Sequence, residues 1–135
     1  MARAMALLEP VRPAFRAIAT TVIPEAAALD DAGWRELEGI VEHALAQRPP
    51  RLRRQLLLFI RVIERLPALR GRRFSALPPA ARARFLAALE RAPLLLVRRG
   101  FWGLRTLILM GYYGRPAAAT AIGYRADPRG WEARR

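Results

Sequence analysis

Apolar residues recur along this chain every three or four positions in several long runs, and prolines or glycines stand at the ends of those runs. That period belongs to amphipathic helices, not strands. The first run covers Pro13 to Val22, with Pro13 suited to a helical first turn and Pro24 beyond the end. Phe15, Ile18, Ala19 and Val22 share one face. A second helix is expected from Ala32 to Gln47, capped by Asp30 or Asp31. Its stripe is Trp34, Leu37, Val41, Ala44 and Leu45, with Glu36, Glu38 and Glu42 expected to face water. Pro49-Pro50 breaks the chain, and a third helix follows from Arg51 to Leu66 with Leu52, Leu56, Phe59, Ile60 and Ile63 on one side and Arg54, Arg61 and Arg65 on the other.

Pro67 to Pro79 reads as a loop carrying the basic run Arg70-Gly71-Arg72-Arg73. A fourth helix then holds Phe85, Leu86 and Leu89 and stops at Pro93. The fifth, Leu94 to Tyr113, is the most apolar: Leu94, Val97, Phe101, Leu104, Ile108 and Tyr112 form a stripe spaced 3, 4, 3, 4 and 4. Arg98, Arg99 and Arg105 interrupt it, and arginine is costly near a bilayer centre, so a buried protein helix is expected and not a membrane span. Gly111-Tyr112-Tyr113-Gly114-Arg115-Pro116 makes a helix stop with a glycine available for a left-handed cap. No strand alternation of useful length and no internal repeat is seen. The expected fold is all-α, a small orthogonal bundle of about five helices with a short C-terminal tail. Residues 1–135 read as one domain, with a helical core over 10–124 and a tail over 125–135.

The chain has 135 residues, 53% of them apolar, enough for one modest core and too many for general disorder. Charge changes the picture more. All 24 basic residues are arginine. Residues 1–47 carry four Arg against seven acids, a net of −3, whereas residues 48–135 carry twenty Arg against four acids, a net of +16. Such asymmetry points to an acidic partner, a phosphate-bearing partner or an anionic membrane surface. The first ten residues lack the apolar core and cleavage site of a secretory signal, and Arg98-Arg99 lie too far along to act as a twin-arginine signal. A cytoplasmic chain is the expectation, with association at a membrane surface as an addition to it.

The residues offer little catalysis. Without cysteine there is no disulfide, thiolate nucleophile or cysteine-bound metal, and the single histidine, His43, excludes a histidine-rich metal site. Phosphate-binding, dinucleotide-binding, zinc-protease and nucleophile-elbow motifs are absent. His43 reads as a solvent-facing residue on an acidic helix, and the carboxylates beside it read as a solvated face. The chain is therefore expected not to be an enzyme by itself and to hold no cofactor or metal. What stands out is aromatic and arginine together. Arg98, Trp102, Arg105 and Leu109 form a second stripe on the fifth helix, spaced 4, 3 and 4. Such a face suits a protein interface, and equally allows Arg to stack on Trp within the domain. Tyr112 and Tyr113 each offer an apolar body with a polar tip. The candidate partner-facing set is Arg98, Trp102, Arg105, Tyr112, Tyr113, Arg115, Pro116 and Tyr124.

The segments Phe15–Pro24, Arg72–Leu77 with Arg84–Leu86, Phe101–Leu107, Gly111–Tyr113, Pro116 and Ile122–Tyr124, in that order and spacing, resemble the gluconate 2-dehydrogenase subunit 3 family. A similar region stands at the N-terminus of long-chain alcohol oxidases of the glucose-methanol-choline type. The resemblance implies a helical small subunit that binds and stabilises a large FAD-dependent catalytic subunit, with the FAD and the catalytic base in that partner. The Arg72–Ser75 and Gly111–Tyr113 segments look closer to the alcohol-oxidase branch, which implies a lipophilic alcohol over a sugar acid. Two other classes compete. A peripheral binder of anionic membranes is suggested by the basic C-terminal two-thirds and the apolar fifth helix. A nucleic-acid binder is suggested by the pI of 11.8 alone, and the chain lacks helix-turn-helix, zinc-finger or RNA-binding signatures, so no nucleic-acid partner is expected.

Overall fold

The computed structural model describes residues 7–115, the side chain of Arg70 excepted. Among the described residues there are five α-helices and no strands, with short 3₁₀ turns before the first helix, between the first and second, and between the third and fourth. They are α1 (Arg12–Val22), α2 (Asp31–Ala46), α3 (Pro50–Arg65), α4 (Pro79–Glu90) and α5 (Leu95–Tyr113). Punctuation explains the boundaries. Proline occupies the first turn of α1, α3 and α4, where no intrahelical N–H is required of it. The Asp30 carboxylate caps α2 by accepting from the Gly33 N–H at 2.8 Å. At the other end of α2, Arg53 donates to the Ala46 and Arg48 carbonyls, whose oxygens the helix leaves free.

α1 lies at the centre, touching α3, α4 and α5, while α2 packs chiefly against α5. The core joins Phe15 and Ile18 of α1, Leu37, Val41 and Leu45 of α2, Ile60 and Ile63 of α3, Leu86 of α4, and Phe101, Leu104 and Ile108 of α5. α2 and α5 cross closely at Gly111, where a Cβ would meet Val41 Cγ2 at 2.8 Å and the Leu37 carbonyl at 3.0 Å.

Several expectations need correction. Glu38 and Glu42, assigned to water, are each only 3% exposed. They flank the α2 stripe, and α1 with the segment before it closes over them. Glu38 accepts from Arg12 at 3.2 Å and Arg16 at 2.7 Å, and Glu42 accepts the Leu8 N–H at 2.9 Å. The core also begins earlier than residue 10, since Leu8 is fully buried. The 67–79 loop contains two 3₁₀ turns, Leu66–Arg70 and Phe74–Ala76, and it buries Phe74 completely against Phe85, ring centroids 5.8 Å apart. Glu64 holds that loop by accepting from the Ser75 N–H and hydroxyl. Gly114 is right-handed at φ −77°, not a left-handed cap; its glycine is required because a Cβ would lie 2.6 Å from the Met110 carbonyl oxygen. Leu52 and Leu94, placed on core stripes, are exposed.

Candidate functional site

α3 is amphipathic in an unusual way: its apolar side is wider than the core surface available to it. Ile60 and Ile63 are buried, whereas Leu52, Leu58 and Val62 remain exposed, Leu58 by 60%. α5 repeats the pattern at its N-terminal end, where Leu94, Leu95 and Leu96 project and Leu96 is 83% exposed. Between the two helices and the end of α2 runs an open groove of about 670 Å³. Leu45, Leu56, Phe59 and Leu107 line its apolar floor, Leu52, Leu58, Val62 and Leu96 its lips, and Arg48 and Arg99 its rim. Gly100 and Gly103 form part of one wall. A Cβ at Gly100 would press on the Phe59 ring at 3.3 Å, and Gly103 has open space in front of it.

The electrostatics are one-signed. α3 carries Arg51, Arg53, Arg54, Arg61 and Arg65 with Glu64 as its one acid, and Glu64 is engaged by Ser75; α5 carries Arg98, Arg99 and Arg105 and no acid. Among the described residues both ion pairs belong to Glu38, with Arg12 and Arg16 of α1, and neither involves α3 or α5.

The expected partner-facing residues mostly lie elsewhere. At about 100° per residue, Arg98, Trp102 and Arg105 occupy a side of α5 turned well away from Leu96, Gly100, Gly103 and Leu107. Trp102 is 55% exposed, and the Arg105 guanidinium sits 5.6 Å from its ring centroid, so the stacking anticipated within the domain is present. Tyr112 packs on the core and meets Tyr113 edge-on. Arg115 is 5% exposed, donates to the Tyr112 carbonyl and covers the Tyr112 ring at 4.5 Å, so its guanidinium is engaged within the domain. Pro116 and Tyr124 lie outside the described residues. The structure thus groups Arg98, Trp102 and Arg105 on one patch and adds a second, apolar patch, of whose exposed lips only Leu52 had been placed on a core stripe. The excess width of the α3 stripe was its visible signal.

A second cleft, of about 870 Å³, lies between α1 and α4, with Arg16, Trp34, Ser75 and Arg82 on its walls. Its polar groups already have partners: Arg16 pairs with Glu38 and lies over Trp34, and Arg82 donates to the Leu77 and Ser75 carbonyls. His43 is exposed and shares a hydrogen bond with Gln47. Burial pushes the Glu42 carboxyl above its ordinary value, partly offset by the Leu8 N–H bond. Among the described residues no cluster of His, Asp or Glu could hold a metal, and no helix is long and apolar enough to cross a membrane. The fold and its surface define an all-α domain with an arginine-rimmed apolar groove. No protein-family model, no curated protein and no solved structure matches the chain.

Proposed function

We propose that this chain is a non-catalytic small subunit that binds and stabilises a larger protein through the α3–α5 face. One observation carries the reading: Leu52, Leu58, Val62 and Leu96 stand together in contact with water beside a concave apolar floor. A contiguous patch of this kind, ringed by charge, marks an interaction surface. The partner proposed is a large FAD-dependent dehydrogenase or oxidase of the glucose-methanol-choline type acting on an alcohol or sugar, on the strength of the sequence resemblance, with the flavin held by that partner. The test is co-expression of the tagged chain with such a flavoprotein from the same genome. The expected result is a yellow complex that co-purifies with the tagged chain. A monodisperse monomer that melts sharply and retains no flavoprotein overturns the reading.

A second reading is peripheral binding to anionic membranes, favoured by Leu66 and by Leu69, 85% exposed, next to Arg65, Arg72 and Arg73. It predicts sedimentation with phosphatidylglycerol vesicles that salt reverses, and fails if no vesicles bind at low salt.

A further inference from the structure

Three occupants could cover the α3–α5 groove, namely a bilayer, a second copy of the chain, or a segment of another protein, and the geometry separates them. A bilayer surface would meet the exposed lips Leu52, Leu58, Val62 and Leu96 and leave the more buried Leu45, Leu56, Phe59 and Leu107 between them uncovered. Only something narrow and convex reaches them. A second copy on a two-fold axis would bring the same arginine-rimmed patch onto itself, with α3 and α5 supplying one acid between them, already bonded to Ser75. Like charges on both sides of such an interface oppose it. A helix from a different protein meets neither objection. The groove lining runs from Leu52 to Val62, roughly 15 Å along α3 at about 1.5 Å per residue, which accepts about three turns of helix. Gly103 lets a docked backbone approach α5 closely, having nothing within 4 Å of its Cβ position, while Gly100 seats the Phe59 ring.

We infer that the α3–α5 groove is a helix-binding site whose occupant is an acidic amphipathic helix of the partner protein. Its aliphatic side chains, three and four residues apart, enter between Leu56, Phe59 and Leu107, and its flanking carboxylates meet Arg48 and Arg99. This rests on the docking-subunit reading and names the partner's chemistry at that surface.

The probe is a labelled helical peptide with leucines on one face and glutamates flanking them, titrated with the full chain by fluorescence anisotropy. A twin with lysines in place of the glutamates is the control. The glutamate peptide is expected to bind roughly tenfold or more tightly than the lysine peptide, and less well as salt rises. Leu58→Asp and Leu96→Asp each abolish that binding while the helical circular dichroism is retained, and Trp102→Ala, on another side of α5, leaves it intact. Equal binding of both peptides, or binding of neither, overturns the inference. So does Leu58- and Leu96-dependent capture of phosphatidylglycerol vesicles without peptide binding, or a dimer in sedimentation velocity that Leu96→Asp dissociates. A flavoprotein complex that survives Leu58→Asp and Leu96→Asp removes the groove and keeps the docking subunit. Peptide binding without any flavoprotein complex does the reverse.

Discussion

The α1–α2 side of the molecule and its α3–α5 face are built from the same materials, apolar stripes flanked by charge, and end in opposite states. On the first side the flanking charges are of both signs. Arg12 and Arg16 meet Glu38, Arg16 also covers Trp34 at 5.0 Å, and Glu42 receives the Leu8 N–H, so the chain closes over its own polar groups. On the second face the flanking charges are nearly all arginine, with no carboxylate to fold toward. Arginines without a partner keep their heads in water, and the leucines between them stay exposed with them. Both α3 and α5 still bury part of their stripes, at Ile60, Ile63, Phe101, Leu104 and Ile108, so charge balance marks how far each side closes and not whether it has a core.

The contrast can be tested by substitution, the largest effect first. Phe15→Ala, at a fully buried position of α1, is expected to lower the unfolding free energy by about 3–5 kcal/mol in urea denaturation. Glu38→Ala removes the acceptor of two arginines that are each about a third exposed, 37% and 36%, and can return to water. Its expected cost is smaller, about 1–3 kcal/mol by the same measurement.

Glu42→Gln tests the closed side by pH. The Glu42 carboxyl is raised above 4.5 in the folded chain, so its contribution is most favourable below that pH and declines as pH rises through the raised value. Glutamine keeps an acceptor for Leu8 and cannot titrate. The melting temperature of the native chain should therefore fall relative to Glu42→Gln between pH 4.5 and neutrality, and parallel curves would show that the Glu42 carboxyl has the same pKa folded and unfolded. Smallest of all, Leu96→Asp on the open face should change stability by no more than about 0.5 kcal/mol. A loss at Leu96 as large as that at Phe15 would erase the distinction between the two sides.

Much of the fold was legible along the chain because its signals are local. Pro13, Pro50 and Pro79 start helices through their fixed φ, Asp30 caps through its own side chain, and the stripe of Phe101, Leu104 and Ile108 needs no knowledge of the partner helix to be apolar. The candidate site was less legible. Periodicity places Leu52 and Leu56 on one face of α3 but does not say how much of that face a neighbour reaches, so Leu52 was assigned to the core and the groove went unseen. The chosen stripe of Arg98, Trp102 and Arg105 has an internal contact, Arg105 over Trp102, that spacing had allowed without deciding.

By itself, the sequence determined the helix count, the breaks between helices, the acid-poor and arginine-rich character of everything after residue 47, and the excess of apolar surface. Only the tertiary structure decided that Glu38 and Glu42 would be enclosed, that Phe74 would leave its loop for the core, and that the surplus leucines would gather on one groove. The physical reason is that propensity, capping and period act within a few residues. Burial depends on what arrives from far along the chain, such as Leu8 reaching Glu42 or Phe85 meeting Phe74.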